Sequence, residues 1–445
     1  MQKKSKEKLS ELSTQKKKDL IRKLLRGKGK VQPDGKPETD EYSLPANLWQ
    51  IDSIDAVSEF QEKLKLMKDQ NISDPFFRIN EGIINDRTII NGKEFISYSS
   101  YNYVGLSGDP AVTDAVKKAV DKYGTSVSAS RMVTGEKPIH AELEKELAEF
   151  LGVDDSIVFV GGHATNVTTI GHLLGPSDLI LHDSLAHDSI VQGALLSHAR
   201  RIPFPHNDYE ALENILKEQR MKYKKTLIAI EGVYSVDGDI PYLPKFIDIK
   251  KKYKTFLMID EAHSIGVLGK TGRGIGEHFN INPKEVEIWM GTLSKSFASC
   301  GGYIAGSKLF IKYLKYTAPG FMFSVGMSPA NAAAAFVALQ MLKKDTNRID
   351  RLRKNSEYFR NKAKKLEFDI GASHDSAVIP VIVGNSLKTM EMTNFLFEKG
   401  INVQPILYPA VAENAGRLRF FITSEHKQAQ MEYTLMQLQE GFKSI

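Results

Sequence analysis

The chain has 445 residues, 42% of them hydrophobic and 26% charged, which excludes a fibrous or largely disordered protein and allows two or three packed units. Its formal charge is +6, but residues 1 to 36 hold 13 Lys/Arg against 4 Asp/Glu, a net of +9, so the remainder carries −3. A basic leader on a slightly acidic body argues against a nucleic-acid-binding surface on that body and places any anionic partner at the N-terminus; a solvated leader explains the same pattern. The single cysteine, Cys300, cannot close an internal disulfide, and no CxxC or Cys/His cluster suggests a metal site. No signal-peptide pattern or long uncharged apolar run is present, so a cytoplasmic protein without a transmembrane segment is expected.

In chain order, residues 1–45 form a basic extension and linker. Leu9, Leu12, Leu20, Leu24 and Leu25 recur among lysines as a helical patch, which Gly27-Lys28-Gly29 ends before the linker Pro33-Asp34-Gly35-Lys36-Pro37. An N-terminal segment, 46–95, follows. From 96 to 340 short apolar runs alternate with amphipathic helices, the pattern of an α/β unit whose mostly parallel sheet is covered on both faces. Strands are predicted at Ser156–Val160, Leu179–Leu181, Thr226–Glu231, Phe256–Asp260, Ile288–Gly291 and Gly302–Gly306, with helices at Ile139–Leu151, Asp208–Lys224 and Leu243–Lys252. Residues 341–445 read as a smaller α+β unit, with helices at 328 to 343, 345 to 365 and 425 to 443 around alternating elements.

Four stretches carry chemistry. Across residues 288 to 307 the only charged side chain is Lys295, set among Thr292, Ser294, Ser296, Gly301 and Gly302. A lysine alone in an apolar, small-residue run is desolvated, and its neutral amine can form a Schiff base; the plainer reading is a lysine snorkelling to solvent. About 35 residues earlier, Thr255-Phe-Leu-Met-Ile ends in Asp260-Glu-Ala-His263. A carboxylate at the carboxyl end of such a strand projects into the ligand crevice of an open α/β sheet. The same four letters occur in nucleotide-hydrolysing motors, but those need a phosphate loop upstream, and the only Gly-Lys-Thr, at 269–271, lies downstream.

Phe159-Val-Gly-Gly-His163-Ala-Thr-Asn166 passes from a strand through two glycines into a helix, a turn at which backbone N–H groups can meet a phosphate. His182-Asp-Ser-Leu-Ala-His187 offers a histidine able to stack on an aromatic ring. Most histidines are structural, and the 182/187 spacing suits no zinc helix.

Together with Asn102 in Ser-Tyr-Asn-Tyr-Val-Gly-Leu and Glu231-Gly-Val-Tyr-Ser-Val-Asp-Gly238, these stretches resemble, in order and spacing, the α-oxoamine synthase family over residues 75 to 445. The resemblance implies a fold-type I pyridoxal-phosphate transferase working as a homodimer. It joins a small amino acid (glycine, alanine, serine or cysteate) to an acyl thioester with loss of carbon dioxide, giving an α-amino ketone. It also implies roles. Lys295 is the Schiff-base lysine and proton shuttle, Asp260 the partner of the pyridine nitrogen, and His263, with Ser235 nearby, the partner of the ring hydroxyl. His187 stacks on the ring. Gly162, His163 and Thr292 hold the phosphate, joined by Ser324 from the other subunit. Asn102 and Arg419 hold the amino-acid carboxylate, Arg by its planar fork.

Two departures shape the expected substrates. The Arg-Pro-Pro segment of many serine palmitoyltransferases is replaced by Ile406-Leu-Tyr-Pro-Ala, which weakens a sphingoid-base product. The basic extension, and Phe-Val-Gly-Gly-His-Ala-Thr-Asn, resemble synthases attached to assembly lines, which favours an acyl carrier protein over coenzyme A as thioester carrier. An aminotransferase on the same fold, or a non-catalytic partner subunit, are the competing readings.

Overall fold

The computed structural model describes residues 44–69 and 73–445; the predicted leader helix and linker lie outside them. A 15-residue helix, Asp55–Asp69, precedes a hairpin of β1 (Arg87–Ile90) and β2 (Lys93–Ser97). Asn91 and Gly92 join the two strands with φ of 50° and 70°, the twist a two-residue hairpin turn requires.

The main sheet has the order β3-β9-β8-β7-β6-β4-β5. Its strands are β3 (Asp155–Phe159), β4 (Leu179–Asp183), β5 (Arg200–Phe204), β6 (Thr226–Glu231), β7 (Phe256–Asp260), β8 (Ile288–Thr292) and β9 (Gly302–Gly306). All pairings are parallel except those of β9, which runs antiparallel to both β3 and β8. Every residue of β4, β6 and β8 is buried. Strands covered on both faces lose the alternating pattern of a half-exposed strand, so they read as continuous apolar runs. Predicted and observed strands agree to within two residues at each end, and the predicted helix 208–224 is a helix over Tyr209–Gln219 followed by one 3₁₀ turn.

The remaining strands are β10 (Val378–Gly384), β11 (Ile401–Asn402), β12 (Gln404–Ile406) and β13 (Gly416–Phe421). β10, β13 and β12 make an antiparallel sheet, while β11 adds in parallel to β2. The hairpin ahead of the main sheet thus packs with the C-terminal unit. Helix Pro329–Lys344, rich in alanine and almost wholly buried on one side, packs against helices Pro110–Tyr123 and Pro138–Leu151.

One buried ion cluster ties this framework together. Glu144, 2% exposed, accepts from Arg131 at 2.5 Å, from Lys315 at 2.7 Å and from the Val158 backbone N–H at 2.9 Å. It thereby joins helix 138–151, β3, helix Lys308–Thr317 and the turn at 131–135. The two cations hold its carboxyl below the usual glutamate range despite complete burial. Removing one partner of a buried pair strands the other, so Glu144→Ala should cost about 3–5 kcal/mol, read as a lower urea midpoint.

Candidate active site

The carboxyl ends of β4, β6, β7 and β8 open into a cavity of about 370 Å³, the place where open α/β sheets bind ligands. Gly162, His163, His187, Ser235, Asp260, His263, Thr292, Lys295 and Arg419 all line it. Residues singled out from five separate stretches of sequence, and one from the C-terminal unit, are therefore brought to one place.

Lys295 lies in the loop joining β8 to antiparallel β9. That loop is closed by Leu293 N–H to Gly301 O and by Ser299 N–H to Leu293 O, and is pinned by Ser296 Oγ to Ile265 O. Burial pushes the amine down to about 8 against the pull of Asp260 and Glu231, with Arg419 adding to the fall. An amine with that value has a far larger neutral fraction near physiological pH than an ordinary lysine, and that fraction is a competent nucleophile.

Asp260 ends β7, 4% exposed. Its Oδ2 accepts from Asn166 Nδ2 at 2.8 Å and its Oδ1 from the Ala262 N–H at 2.9 Å. The same Asn166 amide donates to Ser189 Oγ at 2.8 Å, and that hydroxyl lies 2.8 Å from His187 Nδ1. A hydrogen-bond chain thus runs from the Asp260 carboxylate through Asn166 and Ser189 to the His187 ring. Since the Ser189 backbone N–H also points at Nδ1, that nitrogen is the acceptor and Nε2 carries the proton. Burial keeps the ring neutral, helped by Lys295 and His163 and opposed by Asp260.

His263 is oriented in the same manner. The Tyr103 hydroxyl lies 2.7 Å from its Nδ1. Burial raises the Tyr103 phenol well above its ordinary value and lowers the His263 imidazole well below its own. The phenol therefore donates, and the Nε2–H of His263 is left as a donor for the cavity.

Pyridoxal phosphate fits this arrangement. Helix Gly162–Leu173 begins with Gly161 as its uncapped first residue, so its leading N–H groups and positive end are available to an anion. No side chain can occupy the floor in front of it: a Cβ on Gly162 would lie 2.9 Å from Thr292 Oγ1, and one on Gly302 would lie 2.4 Å from Thr165 Oγ1. The hydroxyls of Thr292 and Ser294, 2.7 Å apart, face the same corner. A phosphate there, a carboxylate at Asp260 and an amine at Lys295 match the three poles of the cofactor.

Two predicted residues are placed elsewhere. Asn102 is buried beside the cavity rather than lining it: Nδ2 donates to Asn85 Oδ1 and to the carbonyls of Ile84 and Ser107, and Oδ1 accepts from Ser107 N–H. Tyr101, one residue earlier, reaches the cavity, its ring 5.4 Å from Lys295 Nζ. Ser324 lies outside the cavity of its own chain, with its hydroxyl on Val325 O at 3.2 Å. Tyr101, Asn166, Ser189, Glu231 and Ser294 line the cavity without having been assigned roles from sequence. Asn166 and Glu231 stood inside quoted motifs, and only the geometry exposes what they bond.

The aminotransferase class I and II family model matches residues 93–438. An 8-amino-7-oxononanoate synthase of Treponema denticola is 38% identical over 382 residues, covering 86% of this chain and 96% of that protein. The protein of the same name from Fervidobacterium nodosum is 40% identical over 369 residues, 80% of this chain and 93% of its own. Among solved structures, a serine palmitoyltransferase with pyridoxal phosphate superposes with a TM-score of 0.83 at 29% identity, covering 87% of this chain and 97% of the other. Cavity, fold and relatives agree: the chain belongs to the aminotransferase class I and II family and, within it, to the α-oxoamine synthases, pyridoxal-phosphate enzymes that condense an amino acid with an acyl thioester and release carbon dioxide.

Proposed function

We propose that the chain joins a small amino acid to an acyl group carried by an acyl carrier protein, releasing an α-amino ketone, carbon dioxide and the free thiol carrier. Bound in the cavity, pyridoxal phosphate supplies an electron sink for a carbanion at the amino acid's α-carbon. The side chains do the rest. The Gly162 and His163 N–H groups and Thr292 would hold its phosphate, Asp260 would serve its pyridine nitrogen, His263 Nε2–H and Ser235 its ring hydroxyl, and His187 its ring. Arg419 binds the substrate carboxylate. Lys295, whose buried amine gives up its proton more readily than an ordinary lysine, takes the α-proton and later returns it.

The observation that carries this reading is Lys295, buried and alone among small residues, facing Asp260 across a cavity floored by glycine. A small amino acid is supported by the size of the cavity, about 370 Å³, which Tyr101, His187 and His263 line together with that amine. The name of the relatives denotes an 8-amino-7-oxo acid, whose amino-bearing carbon carries a methyl group, as alanine does; the structural neighbour's name denotes serine.

A carrier protein is supported by the net +9 of residues 1 to 36, since such a leader attracts an acidic partner. A homodimer is supported by exposed apolar side chains beside Ser324 and on the turn at 131–135, with Phe323 84% and Val133 76% exposed; a second copy would cover them. Among the described residues no helix is long and apolar enough to cross a membrane.

The test is to titrate the purified protein with glycine, alanine, serine and cysteate while following visible absorbance, then to supply acyl carrier protein and coenzyme A thioesters of one chain length. One amino acid should shift the band, and the carrier-bound ester should give the higher kcat/KM, with deletion of residues 1–40 lowering it about tenfold at low salt. Equal rates on both thioesters, unaffected by the deletion, would remove the carrier protein from the proposal.

A further inference from the structure

Glu231 ends β6 and Asp260 ends β7, and the two are paired across the sheet, so their side chains leave the same face side by side. Both are almost fully buried, at 3% and 4% exposure, and both line the cavity. Two adjacent buried carboxyls do not ionise together. Their hydrogen bonds decide which keeps the proton. Asp260 receives an N–H on each oxygen, from Asn166 and from Ala262, the environment of a carboxylate. Glu231 receives one, the backbone N–H of His187 on Oε1 at 2.6 Å.

We propose that Glu231 is a positioning residue for the reaction, an uncharged acid whose carbonyl oxygen anchors the His187 backbone and so sets the ring of His187 over the cavity. The ring of His187 is held through Nδ1 by Ser189, and its main chain by Glu231 at the N–H and by Ile190 N–H at the carbonyl. Burial, and after it the Asp260 charge, push the Glu231 carboxyl well above the ordinary value, with His187 N–H and Lys295 opposing. The charged and titratable groups facing it are Asp260 from β7, Asp183 from the end of β4, His187 from the loop after β4 and Lys295 from the loop after β8. An uncharged Glu231 leaves Asp260 as the one negative charge serving the cofactor and the Lys295 amine.

The proposal rests on the cavity being the cofactor site, and the experiment separates the two. Wild type, Glu231→Gln and Glu231→Ala are loaded with pyridoxal phosphate, and visible absorbance and visible circular dichroism are recorded across pH with kcat and KM. Glutamine keeps the carbonyl acceptor without a charge, so the midpoint of the absorbance change should stay within about 0.3 pH unit of wild type and kcat within about threefold. Alanine removes the acceptor of the His187 N–H, so visible circular dichroism should change and kcat should fall about 10–100-fold with little change in KM. A midpoint moved by about one unit or more in Glu231→Gln shows an ionised carboxylate and overturns the proposal. So does a Glu231→Ala variant with wild-type circular dichroism and kcat. Should alanine prevent folding, the glutamine variant still decides the charge. A wild type with no Lys295-dependent absorbance would instead sink the cofactor site itself.

Discussion

Lys295→Met is expected to lower kcat by at least about 10³-fold, to abolish the visible band of the loaded protein, and to raise the thermal stability of the cofactor-free protein at neutral pH. The first two effects follow because no other amine lines the cavity among the described residues. The third follows from linkage. In the unfolded chain the amine titrates near its ordinary 10.5, and in the fold burial has brought it to about 8. Below pH 8 both states are protonated and the fold bears the whole desolvation cost. Between 8 and 10.5 the unfolded state holds the extra proton, so wild-type stability rises with pH, by up to about 3 kcal/mol. Methionine keeps the stem and carries no charge. Its advantage over wild type should therefore be largest below pH 8 and vanish toward 10.5. Thermal unfolding of both cofactor-free proteins across that range checks this, and a pH-independent difference would mean the amine is not desolvated.

The buried strands were legible because continuous apolar runs can be nothing else in a chain that alternates them with helices. The edge strand was not: Arg200-Arg-Ile-Pro-Phe204 carries two cations and a proline, residues tolerated only where one side has no partner strand. The reversed direction of β9 was equally silent, since a strand's residues do not record which way its neighbour runs. Within the site, single residues with distinctive chemistry announced themselves. Lys295 stood out by isolation, Asp260 by ending an apolar run, and the glycines by their place between strand and helix. What stayed hidden is what depends on partners. Asn102 and Tyr101 are neighbours in sequence, and only the hydrogen bonds of the amide, to Asn85 and within its own loop, show that it turns inward while the ring faces the cavity. Asn166 became meaningful once it was seen to bridge Asp260 and Ser189, and Glu231 once register put it beside Asp260.

Arg419→Ala should raise the KM for the amino acid about 10²-fold while changing that for the thioester by less than about threefold, and Arg419→Lys should recover only part of the loss. Two arginines alternate on β13 in Gly-Arg-Leu-Arg-Phe, and the structure separates their tasks. Arg417 is spent on protein partners, pairing with Asp237 and bonding the Ala415 carbonyl. Arg419 has no carboxylate partner among the described residues: one Nη1 bond goes to the Ser235 carbonyl at 3.1 Å, Nε is buried without an acceptor, and the guanidinium lies 4.6 Å from the Phe421 ring. Placed over that ring and fixed by Ser235, it meets a carboxylate at little entropic cost. Charge-assisted hydrogen bonds contribute about 1.5–3 kcal/mol each, and losing a bidentate pair accounts for about two decades in binding. Lysine restores the charge but not the fork. Because β13 is flanked by β10 and β12, a collapsed strand would disturb both substrates, so an equal rise in both KM values would mark a structural lesion and count against a carboxylate-binding role for Arg419.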